Sequence, residues 1–229
     1  MIFLHGDFHG NFKDLIKFVN KMELTSNDTI IVLGDMGLCW RNDKIDLNYF
    51  VEIWESTLKN TPYLYFIDGN HENFDILKEF KDGVISPHIR WLQRGTVLHI
   101  DGYDCLCIGG ADSIDKHRRV EHLSWWEDEQ ITKEDVNNIW PGHYDYVFSH
   151  CCPYSVFEKN YPYLADPQFA GKEFDHTSEE RLDEIMRKID FDHWYFGHYH
   201  HTVDLDKKFT CLYNDFILLG EDKENDRLE

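Results

Sequence analysis

An α/β fold built on mixed β-sheets, with helices over the outer faces, is predicted by three features of the 229-residue sequence. Short apolar runs rich in Ile, Val, Tyr and Phe stand at residues 2–5, 29–33, 63–67, 145–149 and 193–196, which is the length and composition of buried strands. Helical periodicity fills the gaps between the first three, and two hairpin patterns appear after them. Strands that alternate with helices early and form hairpins later give sheets that are part parallel and part antiparallel.

The elements follow in order. The first helix is expected over residues 12 to 23, where Leu15, Phe18, Val19 and Met22 recur every three or four positions. The second spans 46 to 59 with Leu47, Phe50, Val51, Trp54 and Leu58 on one face, and both stripes read as core-facing. A third helix starts near residue 178, where Thr177 and Glu180 have capping-box spacing ahead of Leu182, Ile185, Met186 and Ile189. One hairpin joins residues 96–100 to 103–108 across Asp101-Gly102, a two-residue turn signal. The other joins 203–205 to 209–212 across Asp206-Lys207-Lys208.

No linker or low-complexity tract divides the chain, so a single domain is expected over residues 1–220, followed by a charged, frayed tail over 221–229. The formal net charge of −20 with 42% hydrophobic residues describes a folded, acidic protein. Such a charge repels phosphate backbones, which argues against nucleic acid as a partner, and an anionic substrate would need local positive charge. The six cysteines show no CxxC pairing and read as reduced thiols of a cytoplasmic protein. With no run of about 18 apolar residues, no membrane segment is expected. Oligomeric state is not legible here.

What ends the strand-like runs carries the chemistry. The first leads to Gly6-Asp7-Phe8-His9, the second to Gly34-Asp35, the third to Gly69-Asn70-His71-Glu72, the fourth to His150 and the fifth to Gly197-His198-Tyr199-His200. In open α/β sheets, ligands bind beyond the carboxyl ends of the strands. Any one of these motifs alone is ordinary, since Asp-x-His arises by chance and two His in a strand can simply pack. Together, Asp7, His9, Asp35, Asn70, His150, His198 and His200 form a nitrogen and oxygen set suited to Zn, Mn, Fe or Ni, and too large for one four-coordinate ion. Two divalent ions are implied. A carboxylate between them would bridge and hold them roughly 3.5–4 Å apart.

With these residues assembled, the chain resembles the calcineurin-like metallophosphoesterases, and the stretch Gly109-Gly110-Ala111-Asp112-Ser113-Ile114-Asp115-Lys116-His117-Arg118-Arg119, followed by Trp125-Trp126, resembles a segment of bacterial or phage-type members. The family's ordered signature of DxH, GD, GNH[DE], H and GHxH stands here at Asp7-Phe8-His9, Gly34-Asp35, Gly69-Asn70-His71-Glu72, His150 and Gly197-His198-Tyr199-His200. The resemblance implies a sandwich of two mixed sheets flanked by helices. It implies one metal held by Asp7, His9, Asp35 and His200, and a second by Asp35, Asn70, His150 and His198, with Asp35 as the bridge. It also implies hydrolysis of phosphate mono- or diesters by a metal-bridging hydroxide, with His71 giving a proton to the leaving oxygen or stabilising its charge. The substrate would be a small-molecule or nucleotide phosphoester.

One departure stands out. The protein phosphatase branch has GDxxDRG, whereas this chain reads Gly34-Asp35-Met36-Gly37-Leu38-Cys39-Trp40. Lacking the later carboxylate, His71 needs another orienting partner, for which Asp68 and Glu72 are candidates. Arg118, Arg119 and Arg41 are candidates to grip substrate phosphate, the first two beside Trp125-Trp126, which offer an aromatic wall. Two other readings are a non-catalytic metal-binding scaffold and a nuclease of the same superfamily. Retention of His71 with every ligand argues against the first, and the acidic balance against the second.

Overall fold

The computed structural model describes residues 1–38, 40, 44–57, 60–165 and 174–220. In chain order the elements are β1 (Ile2–His5), α1 (Phe12–Lys21), β2 (Thr29–Val32), α2 (Ile45–Thr57), β3 (Tyr63–Phe66), α3 (Phe74–Leu77), β4 (Val84–Ser86), β5 (Ile89–Trp91), β6 (Thr96–Ile100) and β7 (Tyr103–Ile108). There follow α4 (Lys133–Asn138), β8 (His143–Ser149), α5 (Tyr154–Lys159), α6 (Tyr161–Leu164), α7 (Thr177–Met186), β9 (Asp190–Phe196), β10 (Val203–Asp204), β11 (Phe209–Cys211) and β12 (Ile217–Leu218). Two six-stranded sheets result, ordered β12-β1-β2-β3-β5-β4 and β10-β11-β9-β8-β7-β6. Each has four parallel strands at its centre and an antiparallel strand on either edge.

Side-chain alternation along the strands builds the layers. In the first sheet Phe3, Ile30, Val32, Leu64 and Phe66 face outward onto α1 and α2, where Leu15, Phe18, Phe50 and Trp54 cover them. In the second, Leu106, Ile108, Val147, Trp194 and Phe196 face outward onto α4, α5 and α7. Their neighbours Leu4, Ile31, Cys105, Cys107, Phe148 and Tyr195 turn the other way and pack together between the sheets. Strands covered on both faces must be apolar throughout. That is why these runs read as continuous apolar segments, and the result is a sandwich of two mixed sheets flanked by helices.

Both hairpins form with the expected pairing. The first helix is shorter than expected, ending at Lys21 with Met22 as its αR cap, and the second is described over Ile45–Thr57. Leu58 lies outside the described residues, as do Cys39, Arg41 and the 221–229 tail. The expected Thr177–Glu180 capping box does not form. Thr177 is the first helical residue, and the Asp175 carboxylate accepts its N–H at 3.1 Å and its hydroxyl at 2.6 Å instead. A capping box does form at α4, between Thr132 and Asp135.

Asp68, at the end of β3, is fully buried and receives Trp91 Nε1 at 3.0 Å and Arg94 Nε and Nη2 at 2.9 and 2.7 Å. Arg94 also donates to the carbonyls of Asp128, Glu129 and Gln130, so one guanidinium fastens the 128–130 segment to the first sheet. Removing one partner of a buried ion pair strands the other charge. Arg94→Met is therefore expected to lower stability by about 3–5 kcal/mol, measured as a urea midpoint shift at constant slope; a loss under about 1 kcal/mol would contradict that role.

Candidate functional site

The parallel strands of both sheets release their carboxyl ends toward one rim. Loops from β1 and β2 are tied there by His9 N–H and Gly10 N–H donating to Asp35 O and Met36 O at 2.8 and 3.1 Å, and loops from β8 and β9 by Gly197 N–H donating to His150 O at 2.9 Å. Close approach demands glycine: a Cβ on Gly69 would lie 2.1 Å from Asp35 Oδ1, and one on Gly34 2.2 Å from His150 Nδ1. His9, Asp35, His198 and His200 all adopt left-handed backbone, with φ of 47°, 49°, 70° and 55°. Such conformations cost on the order of 1–3 kcal/mol each and gather at functional sites.

Asp7, His9, Asp35, Asn70, His150, His198 and His200 are brought together by these loops. Asp7, His9 and His200 have potential ligand atoms within 4.8 Å of one another. His9 Nε2 and His200 Nε2 face each other at 3.0 Å, and Asp7 Oδ2 lies 3.3 Å from His200 Nε2. That oxygen is buried and accepts no hydrogen bond. Two nitrogens bound at about 2.1 Å to one ion stand roughly 3.0–3.4 Å apart for angles of 90–110°, so the facing rings and orphaned oxygen fit a divalent cation.

A second group lies on the other side of Asp35. His150 Nδ1 donates to Leu33 O at 2.7 Å, which leaves Nε2 to face Asp35 Oδ1 and Asn70 Oδ1, each at 3.3 Å. The His198 ring packs 5.0 Å from that of His150, and its backbone N–H donates to Asp7 Oδ1 at 3.0 Å. Asp35 thus turns Oδ1 toward His150, while its Oδ2 lies 3.7 Å from His9 Nδ1.

The protonation states report a strongly negative cradle. Burial opposes ionisation of Asp35, yet the adjacent His150 ring outweighs it and holds the carboxyl well below its usual range. Burial would likewise depress His150, but Asp35 drives it up to about 10. His198 is pushed down to about 3 by burial and then by His150. Contact with the Asp7 carboxylate raises His200. A field that holds a proton on a buried imidazole is one in which a divalent ion is favoured.

His71 stands beside this group, its backbone N–H donating to Asp35 Oδ1 at 2.8 Å. Neither expected orienting partner touches its ring. Asp68 is committed to Arg94 and Trp91, and Glu72 turns away to accept Met36 N–H at 2.7 Å. Burial raises the Glu72 carboxyl well above its usual range, and the nearby Asp35 charge adds to the shift. The partner is Arg119: Nη2 donates to His71 Nε2 at 3.0 Å, Nη1 to Asn70 O at 3.2 Å, and Nε pairs with Asp115 at 2.6 Å. Arg118 is exposed in a single 3-10 turn. Trp126 is buried and Trp125 half-buried.

Sequence reading missed the groups behind these residues. Asn70 Nδ2 donates to Ser113 Oγ at 3.1 Å, and Ser113 Oγ in turn donates to Glu129 Oε2 at 2.8 Å. This chain turns Asn70 Oδ1 toward His150. Glu179 of α7 accepts the Tyr199 hydroxyl between His198 and His200. Ser113 lies within the stretch from Gly109 to Arg119 that the sequence singles out, whereas Glu129 and Glu179 meet the site purely through tertiary folding. Outer partners of metal ligands change affinity by about 10–100-fold. Ser113→Ala is expected to weaken metal binding by that factor, read by titration with manganese; unchanged affinity would show Asn70 needs no such support.

A rim of imidazoles, carboxylates and one amide at the carboxyl ends of two sandwiched sheets is a nitrogen and oxygen donor set suited to divalent metal ions. The family model for calcineurin-like phosphoesterases matches residues 2–202, and the chain belongs to that family. No curated protein matches it. Among solved structures it is similar to a protein serine/threonine phosphatase from Saccharomyces cerevisiae with similarity to human phosphatase PP5, at 13% identity and a TM-score of 0.38. That similarity covers 93% of this chain and 66% of the yeast protein, and is too loose to carry an inference about substrate. No helix among the described residues is long and apolar enough to cross a membrane.

Proposed function

We propose that this chain, acting as one domain over residues 1–220, hydrolyses phosphate mono- or diesters with two divalent ions at the rim. The observation that carries this reading is the placement of Asp35, whose two oxygens face His150 at 3.3 Å and His9 at 3.7 Å. One set comprises Asp7, His9, Asp35 and His200; the other comprises Asp35, Asn70, His150 and His198. When bound, the ions supply a nucleophile by lowering the pKa of water from about 15.7 to about 7, and they neutralise phosphate in an otherwise acidic chain.

The chain's own residues then do the rest. Asp35 and Asp7 fix the histidine rings and balance cationic charge. Arg119 donates to His71 Nε2, which leaves the ring proton on Nδ1. Guanidinium and imidazole together can stabilise charge as it develops on the leaving oxygen, which favours that role over delivery of a proton from a charged imidazole. Burial holds His71 down to about 4, with Asp35 opposing and Arg119 reinforcing that shift, so the ring is neutral near pH 7. Arg118 and Arg41 remain candidate phosphate contacts. The test is hydrolysis of glycerol 2-phosphate and a diester by purified protein with added manganese, with and without chelator. Chelator-sensitive turnover supports the reading, while ions bound without turnover favour a scaffold.

A further inference from the structure

Arg119 reaches His71 from the end of a single 3-10 turn, Lys116–Arg118, and Asp115 is the residue at the N-cap of that turn. Arg118 N–H donates to Asp115 O at 2.8 Å and Arg119 N–H to Lys116 O at 3.0 Å, so backbone groups close the turn. An Asp in this place ordinarily turns its side chain back to accept a backbone N–H. Asp115 makes no such bond. Its Oδ1 lies 2.6 Å from Arg119 Nε instead, while the terminal nitrogens of the guanidinium face the 70–71 loop, Nη1 donating to Asn70 O at 3.2 Å and Nη2 to His71 Nε2 at 3.0 Å.

Electrostatics gives that arrangement a purpose. The Arg119 side chain is 9% exposed, and a cation so enclosed needs a counter-charge. Asp35 has a carboxylate oxygen within 4.8 Å of a His71 ring nitrogen. A long, rotamer-rich side chain held by the neutral ring alone would be drawn toward that carboxylate. Pairing at Nε opposes this, because it anchors the guanidinium from behind and leaves its fork on His71. Trp40 adds a wall, with Arg119 Cζ 5.9 Å from its ring centroid and its ring 5.1 Å from that of His71. The turn is fixed upstream as well, since Ser113 N–H donates to Glu129 Oε1 at 2.7 Å and Lys116 N–H to Ser113 O at 3.1 Å. Asp115 itself is 46% exposed, where an ion pair adds little to stability. Its effect therefore falls on where the guanidinium sits rather than on whether the chain folds.

We propose that Asp115 is a positioning residue: by pairing with Arg119 Nε it holds the guanidinium on His71, and so fits the site to phosphate esters of unactivated alcohols. The inference rests on the phosphoesterase reading. As the bond from phosphorus to the leaving oxygen breaks, its electron pair stays on that oxygen until a proton from water reaches it. An alkoxide bears this charge on one atom and depends on the guanidinium and imidazole beside it. A nitrophenolate spreads the charge over its own ring and depends on them little.

The experiment compares wild type, Asp115→Ala, Asp115→Glu, Arg119→Ala and the Asp115→Ala/Arg119→Ala double variant, with manganese, on glycerol 2-phosphate and para-nitrophenyl phosphate. Each variant is referred to wild type on the same ester, which cancels intrinsic reactivity. Asp115→Ala should lower kcat on glycerol 2-phosphate by about 10- to 100-fold with KM and metal content unchanged, and on para-nitrophenyl phosphate by less than about 3-fold. Asp115→Glu, which keeps the carboxylate, should recover most of the loss. In the Arg119→Ala background Asp115→Ala should cost nothing further, because it acts through that arginine. Equal falls on the two esters, or a full additional fall in the double variant, overturn the proposal. Asp115→Asn, with the same shape and no charge, takes the place of Asp115→Ala should circular dichroism show that variant unfolded. If wild type hydrolyses neither ester, the phosphoesterase reading fails separately. Nitrogen NMR of the His71 ring then decides the positioning: an Nε2 signal that moves in Asp115→Ala toward its place in Arg119→Ala upholds it, and one that Asp115→Ala leaves unmoved overturns it.

Discussion

Asp35→Asn is expected to remove bound metal from both positions and to lower kcat/KM by roughly 10³-fold or more. The substitution keeps the shape and an oxygen able to accept the His71 N–H, now at 2.8 Å. It deletes the charge. Burial makes that charge decisive, because Asp35 is 1% exposed and the same carboxylate drives His150 up to about 10. Without it, two cations would have to be held close together with one fewer anion between them. Metal analysis, kinetics and circular dichroism on one preparation provide the check. A folded variant that keeps two ions and near wild-type rate would remove Asp35 from the centre.

His71→Ala is expected to reduce kcat by roughly 10²–10⁴-fold while metal content stays unchanged. The ring is held by Arg119 and lies edge-on to His9 with centroids 4.9 Å apart, so its ligand atoms also fall within 4.8 Å of those of His9 and Asp35. Proximity alone therefore permits a ligand role, and metal content separates the two possibilities. Loss of an ion along with rate would make His71 a ligand; loss of rate alone leaves it acting on the leaving oxygen. An unchanged kcat would contradict both.

Much of the sandwich and the rim was legible in the sequence for a local reason. Strands buried on both faces must be apolar, so IFLH, TIIV and the Tyr63–Phe66 run announce themselves, and polar clusters beyond such runs stand out. Elements of two to four residues, such as β4, β5, β12 and α3, give no periodicity to read. Thr177 and Glu180 had the right spacing for a cap, but Asp175 reached the same N–H first. The rim's supports were hidden for a different reason. Arg119 meets His71 across 48 positions of sequence and Ser113 meets Asn70 across 43, contacts that only the packing of the two sheets creates. Local rules pointed to Asp68 and Glu72 because they are neighbours of His71, yet the β3 terminus turns Asp68 inward to Arg94.

The central claim is that paired cations share the Asp35 carboxylate. Anomalous diffraction from crystals soaked in manganese tests it most directly. Two peaks roughly 3.5–4 Å apart, with Asp35 between them, are the predicted result; a single peak lacking Asp35, or none after soaking, would contradict the account.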